Sequence, residues 1–345
     1  MKLFLIVIVT AIIASFLITN YVLPLWIERM KKRGMTGKDL NKAGRPEIAE
    51  LGGIPVWLGI SFAIMLAIFF STYLHWIEFN LTYLLAGFAT IFLVCFLGVI
   101  DDLIGWKDGI RQWQHALIPL FAALPLMAIK IGNPAIKIPF LGLLPNEFLI
   151  PFFGLVSFGV VYSLFLVPIG VTGASNATNM LAGLNGLEAG LGAIIALTLL
   201  IISFLYGQIE STIIAAAMLG ALIAFLRYNW FPARVFGGDS LTLMIGAGIA
   251  TIVILGNMEK IGVLLMALFF VELLLKARYK MQVESFGIPQ KNGILKAPGK
   301  KSGSLTHVIM KLGNFNEKQV VIRILAIQAA ISIIVFAMFL LKINY

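Results

Sequence analysis

LTYLLAGFATIFLVCFLGVIDD, residues 81–102, runs for twenty residues without a formal charge and then ends in two adjacent carboxylates. At 1.5 Å per residue a helix of that length reaches about 30 Å, the thickness of a bilayer's hydrocarbon core. The run therefore reads as a transmembrane helix, with Asp101 and Asp102 where it meets the headgroups. The rest of the chain repeats the pattern. Of 345 residues, 60% are hydrophobic and 12% charged, and mean hydropathy is +0.98. A soluble domain carries about 25% charged residues, so half that fraction over a whole chain points to a polytopic membrane protein.

Apolar stretches lie near 2–26, 53–72, 81–100, 115–130, 148–169, 187–206, 211–227, 240–256, 260–277 and 321–341. Each is long enough, or nearly so, to cross as a helix, because a spanning segment must satisfy its own backbone hydrogen bonds. The first is longer than a signal-peptide core, lacks a small-x-small cleavage site and ends in a basic loop, so it reads as a retained helix. Ten spans put 21 Lys and Arg on one side, counting Arg323 at the start of the last span, and five on the other. By the positive-inside rule the first side is cytoplasmic and both termini are outside. The expected fold is all-α, about ten transmembrane helices in one bundle, a single domain over residues 1–345 with its active site on the cytoplasmic face.

The formal charge of +10 concentrates in two segments flanking spans, which fits a membrane surface or an anionic substrate rather than nucleic acid. The single cysteine, Cys95, excludes a disulfide framework or a Cys/His metal cluster.

Five polar constellations fall on the cytoplasmic side. Asp101 and Asp102 repel each other and oppose the helix dipole, a cost that a divalent cation or cationic partner would relieve. A solvated pair ending the span explains them equally well, and Lys107 and Arg111 downstream could neutralise it or grip a phosphate. In RVFGGDSLTLMIG, residues 234–246, Asp239 or Ser240 could cap the following helix, or Asp239 could ligate Mg2+ beside a helix N-terminus that favours anions. In NATNMLAGLNGLEAG, residues 176–190, Asn176 and Asn179 are three apart, as are Asn185 and Glu188. Amide oxygens can ligate Mg2+ and amide hydrogens can read a base or sugar; Gly183, Gly186 and Gly190 permit close approach. Helix packing through small residues is the competing explanation. In GKDLNKAGRPEIAELGG, residues 37–53, a solvated basic loop accounts for the cations but not for Glu50. The loop from about 278 to 320, with Lys291, Lys296, Lys300, Lys301 and His307, either contacts lipid headgroups or closes over an anionic sugar nucleotide.

Taken together, these segments resemble the polyprenyl-phosphate N-acetylhexosamine-1-phosphate transferases. The resemblance is carried by KDLNK at 38–42, Glu50, Asp101-Asp102, NATNMLAGLNGLEAG at 176–190 and YNWFPARVFGGDS at 228–240, in the family's order across the chain. Ala182 and Asn185 stand where bacterial relatives usually carry aspartates, and so resemble the archaeal and eukaryotic UDP-GlcNAc:dolichyl-phosphate branch. The last loop departs from both branches, offering only His307 in KKSGSLTHV where they carry a histidine cluster or an Arg-His-Arg element.

That resemblance implies transfer of GlcNAc-1-phosphate from UDP-GlcNAc to a polyprenyl or dolichyl phosphate, the first membrane step of lipid-linked glycan assembly. It implies Mg2+, with Mn2+ as a substitute, at Asn179 and Asp239. Phe236, Gly183 and Asn185 would hold the uridine, Glu50 would sit near the sugar, and Asn176, Glu188, Lys300, Lys301 and His307 complete the substrate-binding set. Asp101, Asp102 and Arg111 would serve the reacting phosphates; the residues alone allow these roles without singling them out. Membrane lipids are expected partners, nucleic acid is not, and a homodimer is compatible with the fold. The membrane would be the plasma membrane in a prokaryote or archaeon and the endoplasmic reticulum in a eukaryote. Alternatives are the same chemistry on another UDP-N-acetylhexosamine, or a transporter or flippase of an anionic lipid, although transporters keep their polar residues near the midplane.

Overall fold

A computed structural model describes residues 1–108, 117, 119–129, 137–138, 142–143, 147–150, 154–299 and 302–342, with backbone alone at 104–108 and in the strands between 137 and 157. The helices are α1 (Lys2–Lys32), α2 (Gly53–Thr72), α3 (Leu81–Asp108), α4 (Leu124–Ala128), α5 (Phe158–Met180), α6 (Leu187–Tyr206), α7 (Ile209–Asn229), α8 (Gly238–Leu255), α9 (Glu259–Leu265), α10 (Ala267–Ala277), α11 (Leu305–Lys311) and α12 (Glu317–Leu340). Eight of these, α1, α2, α3, α5, α6, α7, α8 and α12, are long and apolar enough to cross a membrane.

The all-α expectation needs correcting in detail, since short two-stranded antiparallel hairpins join the helices. One hairpin, β1 (Thr36–Lys38) with β2 (Glu47–Ala49), fills the connection between α1 and α2. Two more, β3 (Lys137–Ile138) with β4 (Gly142–Leu143) and β5 (Glu147–Ile150) with β6 (Gly154–Ser157), precede α5. The expected span at 148–169 therefore begins in strands and its helix lies at Phe158–Met180 instead. Hydropathy measures how long an apolar run is, and a short apolar run pairs as a strand as readily as it coils. The stretch at 260–277 is likewise divided, into α9 and α10 at Met266. Of the expected span at 115–130, residue 117 and residues 119–129 are described, with helix at Leu124–Ala128.

Burial ranks the helices. In its most apolar window α8 is 89% buried, whereas α1 is 28% and α12 33%. α8 is therefore the central post, and the outward leucines and isoleucines of α1 and α12 form part of a lipid-facing rim. Small residues let the neighbours close on the post, as in membrane bundles generally. A Cβ on Gly98 of α3 would lie 2.6 Å from Ser240 Cα, so α3 crosses the start of α8 at backbone contact. Thr178 Oγ1 donates to Thr242 O at 2.7 Å and joins α5 to the same turn of α8. The polar ends of α3, α5 and α8 are thereby brought together at one end of the bundle.

Candidate active site

A cavity of about 270 Å3 opens at that end. Its wall comes from five separate stretches. They are the β1–β2 connection (Lys38 to Asn41) with Glu50, the end of α5 at Asn179, the turn Ala182–Asn185 with Glu188, the α7–α8 loop from Asn229 to Asp239, and Phe286.

The α7–α8 loop is held by backbone pairing. Phe236 N donates to Ala49 O at 2.8 Å, and Gly52 N returns to Phe236 O at 2.9 Å. This adds the loop to β2 and sets Phe236, Gly237 and Gly238 along the cavity. The cap of α8 is not the one the sequence suggests. Neither Asp239 nor Ser240 supplies it; Ser240 Oγ instead donates to Gly237 O. Asp102 of α3 accepts from Asp239 N at 2.8 Å and from Ser240 N at 3.1 Å, satisfying two donors that a helix start leaves open. Gly238, at φ +68°, makes room for it, since a Cβ there would stand 2.5 Å from Asp102 Oδ2. Asp102 thus acts across the bundle as the cap that orients Asp239. Asp101 is buried on α3 and does not line the cavity.

The turn between α5 and α6 is fixed from several sides. Gly183 adopts φ +117°, a conformation side chains disfavour, and a Cβ on it would stand 2.8 Å from Phe286 Cε1. Gly183 O accepts from Asn41 Nδ2 at 2.7 Å, and Gly186 N donates to Asn229 Oδ1 at 2.9 Å. Asn185 N donates to Glu317 Oε1 at 2.8 Å. Glu188, in the first turn of α6, also lines the cavity, and its Oε2 is buried without a hydrogen-bond partner among the described residues.

Of the residues singled out from sequence, Glu50, Asn179, Gly183, Asn185, Glu188, Phe236 and Asp239 share this cavity. Asn176 does not; its Nδ2 donates to Thr172 O of its own helix at 2.9 Å. His307 does not line it either. Its Nε2 lies 2.9 Å from Phe286 O, one layer behind the wall, and burial holds its pKa below the usual 6.5. Arg111, Lys300 and Lys301 lie outside the described residues.

Sequence reasoning missed several participants. Asp39, Asn41 and Lys42 were visible as a motif but without roles. Glu317 sits in the first turn of α12, and the capping box of Asn316 and Gln319 around it was a readable signal. Phe286 had no signal, since nothing local distinguishes it from other loop aromatics.

Electrostatically the lining is acidic: Asp39, Glu50, Glu188 and Asp239 face one lysine, Lys38. Glu50 titrates above the ordinary carboxylate range, first because it is buried and second because Asp239 is close. Among the described residues no cluster of three or more His, Cys, Asp or Glu is arranged to hold a metal by itself. Asn179 and Asp239 nevertheless offer hard oxygen ligands in one cavity. Such a pair fits Mg2+, which usually takes one or two protein carboxylates and completes its shell with water and substrate phosphates.

Comparison with known proteins places the chain in a family. The model of glycosyl transferase family 4 matches residues 83–257, which hold Asp102, the 176–190 turn and Asp239. A Saccharolobus solfataricus protein, provisionally named a UDP-N-acetylglucosamine–dolichyl-phosphate N-acetylglucosaminephosphotransferase, is 36% identical over 329 residues, covering 94% of each chain. The Dictyostelium discoideum UDP-N-acetylglucosamine–dolichyl-phosphate N-acetylglucosaminephosphotransferase is 29% identical over 315 residues, 82% of this chain and 72% of that one. A phospho-N-acetylmuramoyl-pentapeptide-transferase of Clostridium perfringens is 30% identical over 300 residues, 84% of this chain and 88% of its own. With half the chain matched by the family's model, and the archaeal relative aligned nearly end to end, this protein belongs to glycosyl transferase family 4.

Proposed function

We propose that the protein transfers GlcNAc-1-phosphate from UDP-GlcNAc to a polyprenyl (dolichyl) phosphate, releasing UMP. The observation that carries this reading is the convergence of Asn179, Gly183, Asn185, Glu188, Phe236 and Asp239 on one cavity at the ends of membrane helices. Such a place suits an enzyme that joins a water-soluble nucleotide to a lipid. A transporter would want its polar groups nearer the midplane. The names carried by the archaeal and Dictyostelium relatives favour UDP-GlcNAc and dolichyl phosphate over the donor of the peptidoglycan enzymes. Ala182 and Asn185 point the same way.

In the reaction an oxygen of the lipid phosphate forms a bond to the β-phosphorus. The bond from that phosphorus to the α–β bridging oxygen breaks, and its electron pair leaves with UMP. The attacking phosphate has a second pKa near 6 and is largely dianionic at pH 7, so it needs little help from a base. The difficulty is bringing two anions together in an acidic cavity. Mg2+, when bound, would neutralise the diphosphate oxygens, and Asn179 and Asp239 would hold it. Asp102 orients Asp239 through the start of α8. That engagement supports a positioning role for Asp102 over a covalent aspartyl intermediate. Lys38 at the wall, and Arg111, Lys300 and Lys301, add positive charge for the phosphates.

The same reading has ten spans, the eight long helices with α9–α10 and the 115–130 stretch added, both termini outside and the cavity cytoplasmic. The asymmetry of Lys and Arg supports that orientation. The test is incubation of purified protein with Mg2+, a polyprenyl phosphate and a panel of labelled UDP-sugars. UMP and a lipid-linked GlcNAc diphosphate are expected. No product, together with Asp239→Ala binding UDP-GlcNAc as well as wild type, would overturn the proposal.

A further inference from the structure

The KDLNK segment does more than line the cavity. Asp39, 2% exposed, accepts from Asn185 Nδ2 at 3.1 Å, from Asn41 N at 3.2 Å and from Lys42 Nζ. Lys42 also reaches Glu317 Oε2 at 2.9 Å, and the other oxygen of Glu317 accepts from the Asn185 backbone. The main-chain N–H of Asn185 and one hydrogen of its side-chain NH2 are thus committed to carboxylates from two remote elements, α12 and the β1–β2 connection.

An amide has a donor end and an acceptor end, and which end faces where follows from its partners. A carboxylate ion-paired with a lysine offers acceptors alone. Asp39 therefore takes the NH2 end of Asn185, and Oδ1 is the amide atom left for a ligand in the cavity that Asn185 lines. Phe236 and Phe286 line the same cavity, so a flat heterocycle has aromatic surfaces to stack on.

We propose that Asp39, backed by Lys42 and Glu317, is a positioning residue that sets nucleobase specificity: it turns the Asn185 acceptor to the cavity, which then takes a base with a ring N–H donor, uracil, and rejects cytosine. The proposal rests on the uridine reading above. Uracil carries an N–H between two carbonyls where cytosine carries a bare nitrogen, so cytosine would set acceptor against acceptor at a buried site.

The test measures inhibition constants of UDP, CDP and N3-methyl-UDP against labelled UDP-GlcNAc turnover, with full-length wild type, Asp39→Asn and Lys42→Met. For wild type, CDP and N3-methyl-UDP should each bind at least about 100-fold more weakly than UDP, since a site built around a hydrogen bond discriminates strongly against its loss. An asparagine at 39 offers either amide end, and without Lys42 the Asp39 carboxylate loses the ion pair that holds it against Asn185. In both variants the CDP-to-UDP ratio should fall to about tenfold or less, mainly because UDP weakens. Damage to folding alone lowers the active fraction and leaves the ratio unchanged. Wild type binding CDP or N3-methyl-UDP as well as UDP overturns the proposal, and so does a wild-type ratio in Asp39→Asn; the uridine reading survives both results. If Asp39→Asn does not fold, Lys42→Met decides in its place. Wild type that neither turns over UDP-GlcNAc nor is inhibited by UDP overturns the uridine reading itself.

Discussion

Replacing Asp102 separates a structural cap from a chemical nucleophile. Its carboxylate takes two backbone N–H groups at the start of α8, at 2.8 and 3.1 Å. Asp102→Ala removes both acceptors at a site packed by Gly98 and Gly238, where little room is left for water. A buried donor left without a partner costs about 1–3 kcal/mol, so two give roughly 2–6 kcal/mol. Asp102→Asn keeps one acceptor and turns an NH2 toward the second donor, for about 1–3 kcal/mol. Asp239→Asn keeps every one of these backbone bonds and should leave stability near wild type while abolishing turnover. The measurement pairs unfolding titration in a denaturing detergent, at fixed lipid and micelle composition, with single-turnover UMP release. The expected pattern is loss of stability and activity together at 102, and of activity alone at 239. Mixing enzyme with UDP-GlcNAc in the absence of lipid phosphate should release no burst of UMP. An Asp102→Asn protein of wild-type stability, or a trapped phosphoaspartate, would refute the reasoning.

Three other perturbations test neighbouring parts of the site. Gly183→Ala places a methyl against Phe286 and forces φ +117° on a residue with a side chain. Overpacking of this kind costs about 1–3 kcal/mol, so KM for the nucleotide should rise about ten- to a hundredfold. Phe286→Ala in the same chain should restore part of it, because it relieves the clash and not the backbone strain. Glu272 is fully buried and accepts from Ser285 Oγ, Ser304 Oγ and Leu305 N, with Lys276 Nζ 3.5 Å away. It pins the loop that carries Phe286, and Glu272→Ala should destabilise by about 3–5 kcal/mol, read from the same unfolding titration. His307 titrates below 6.5 in the folded protein because it is buried. The unfolded chain then binds more protons between that lowered value and 6.5, so stability rises with pH across the interval and falls as the medium is acidified. His307→Gln, which keeps a donor for Phe286 O, should flatten the dependence of unfolding temperature on pH below neutrality; an unchanged slope would count against the assignment.

The spans were legible because hydropathy and length act on each helix separately. α2 and α6 lie where they were expected, at Gly53–Thr72 and Leu187–Tyr206, and α8 nearly so. The same property misled at 148–169, where an apolar run pairs as strands before α5 begins. Site residues inside conspicuous polar stretches, such as Asn179, Asn185 and Asp239, could be picked out because polarity among apolar spans is costly and needs a reason. What could not be read was partnership. Nothing in the sequence near Asp102 says that it caps a helix 137 positions away, and nothing near Lys42 says that it meets Glu317. The first pair exists only once α8 packs on α3, the second only once the β1–β2 connection meets α12, and they decide roles that residue type leaves open. Asp102 and Asp239 are both carboxylates at helix ends, yet one is committed to holding the other's backbone. The consequence for the chemistry is direct. An acidic cavity for an anionic substrate keeps its carboxylates apart in function: Asp102 and Asp39 accept from backbone and amide donors, whereas Asp239 lines the cavity with Asn179.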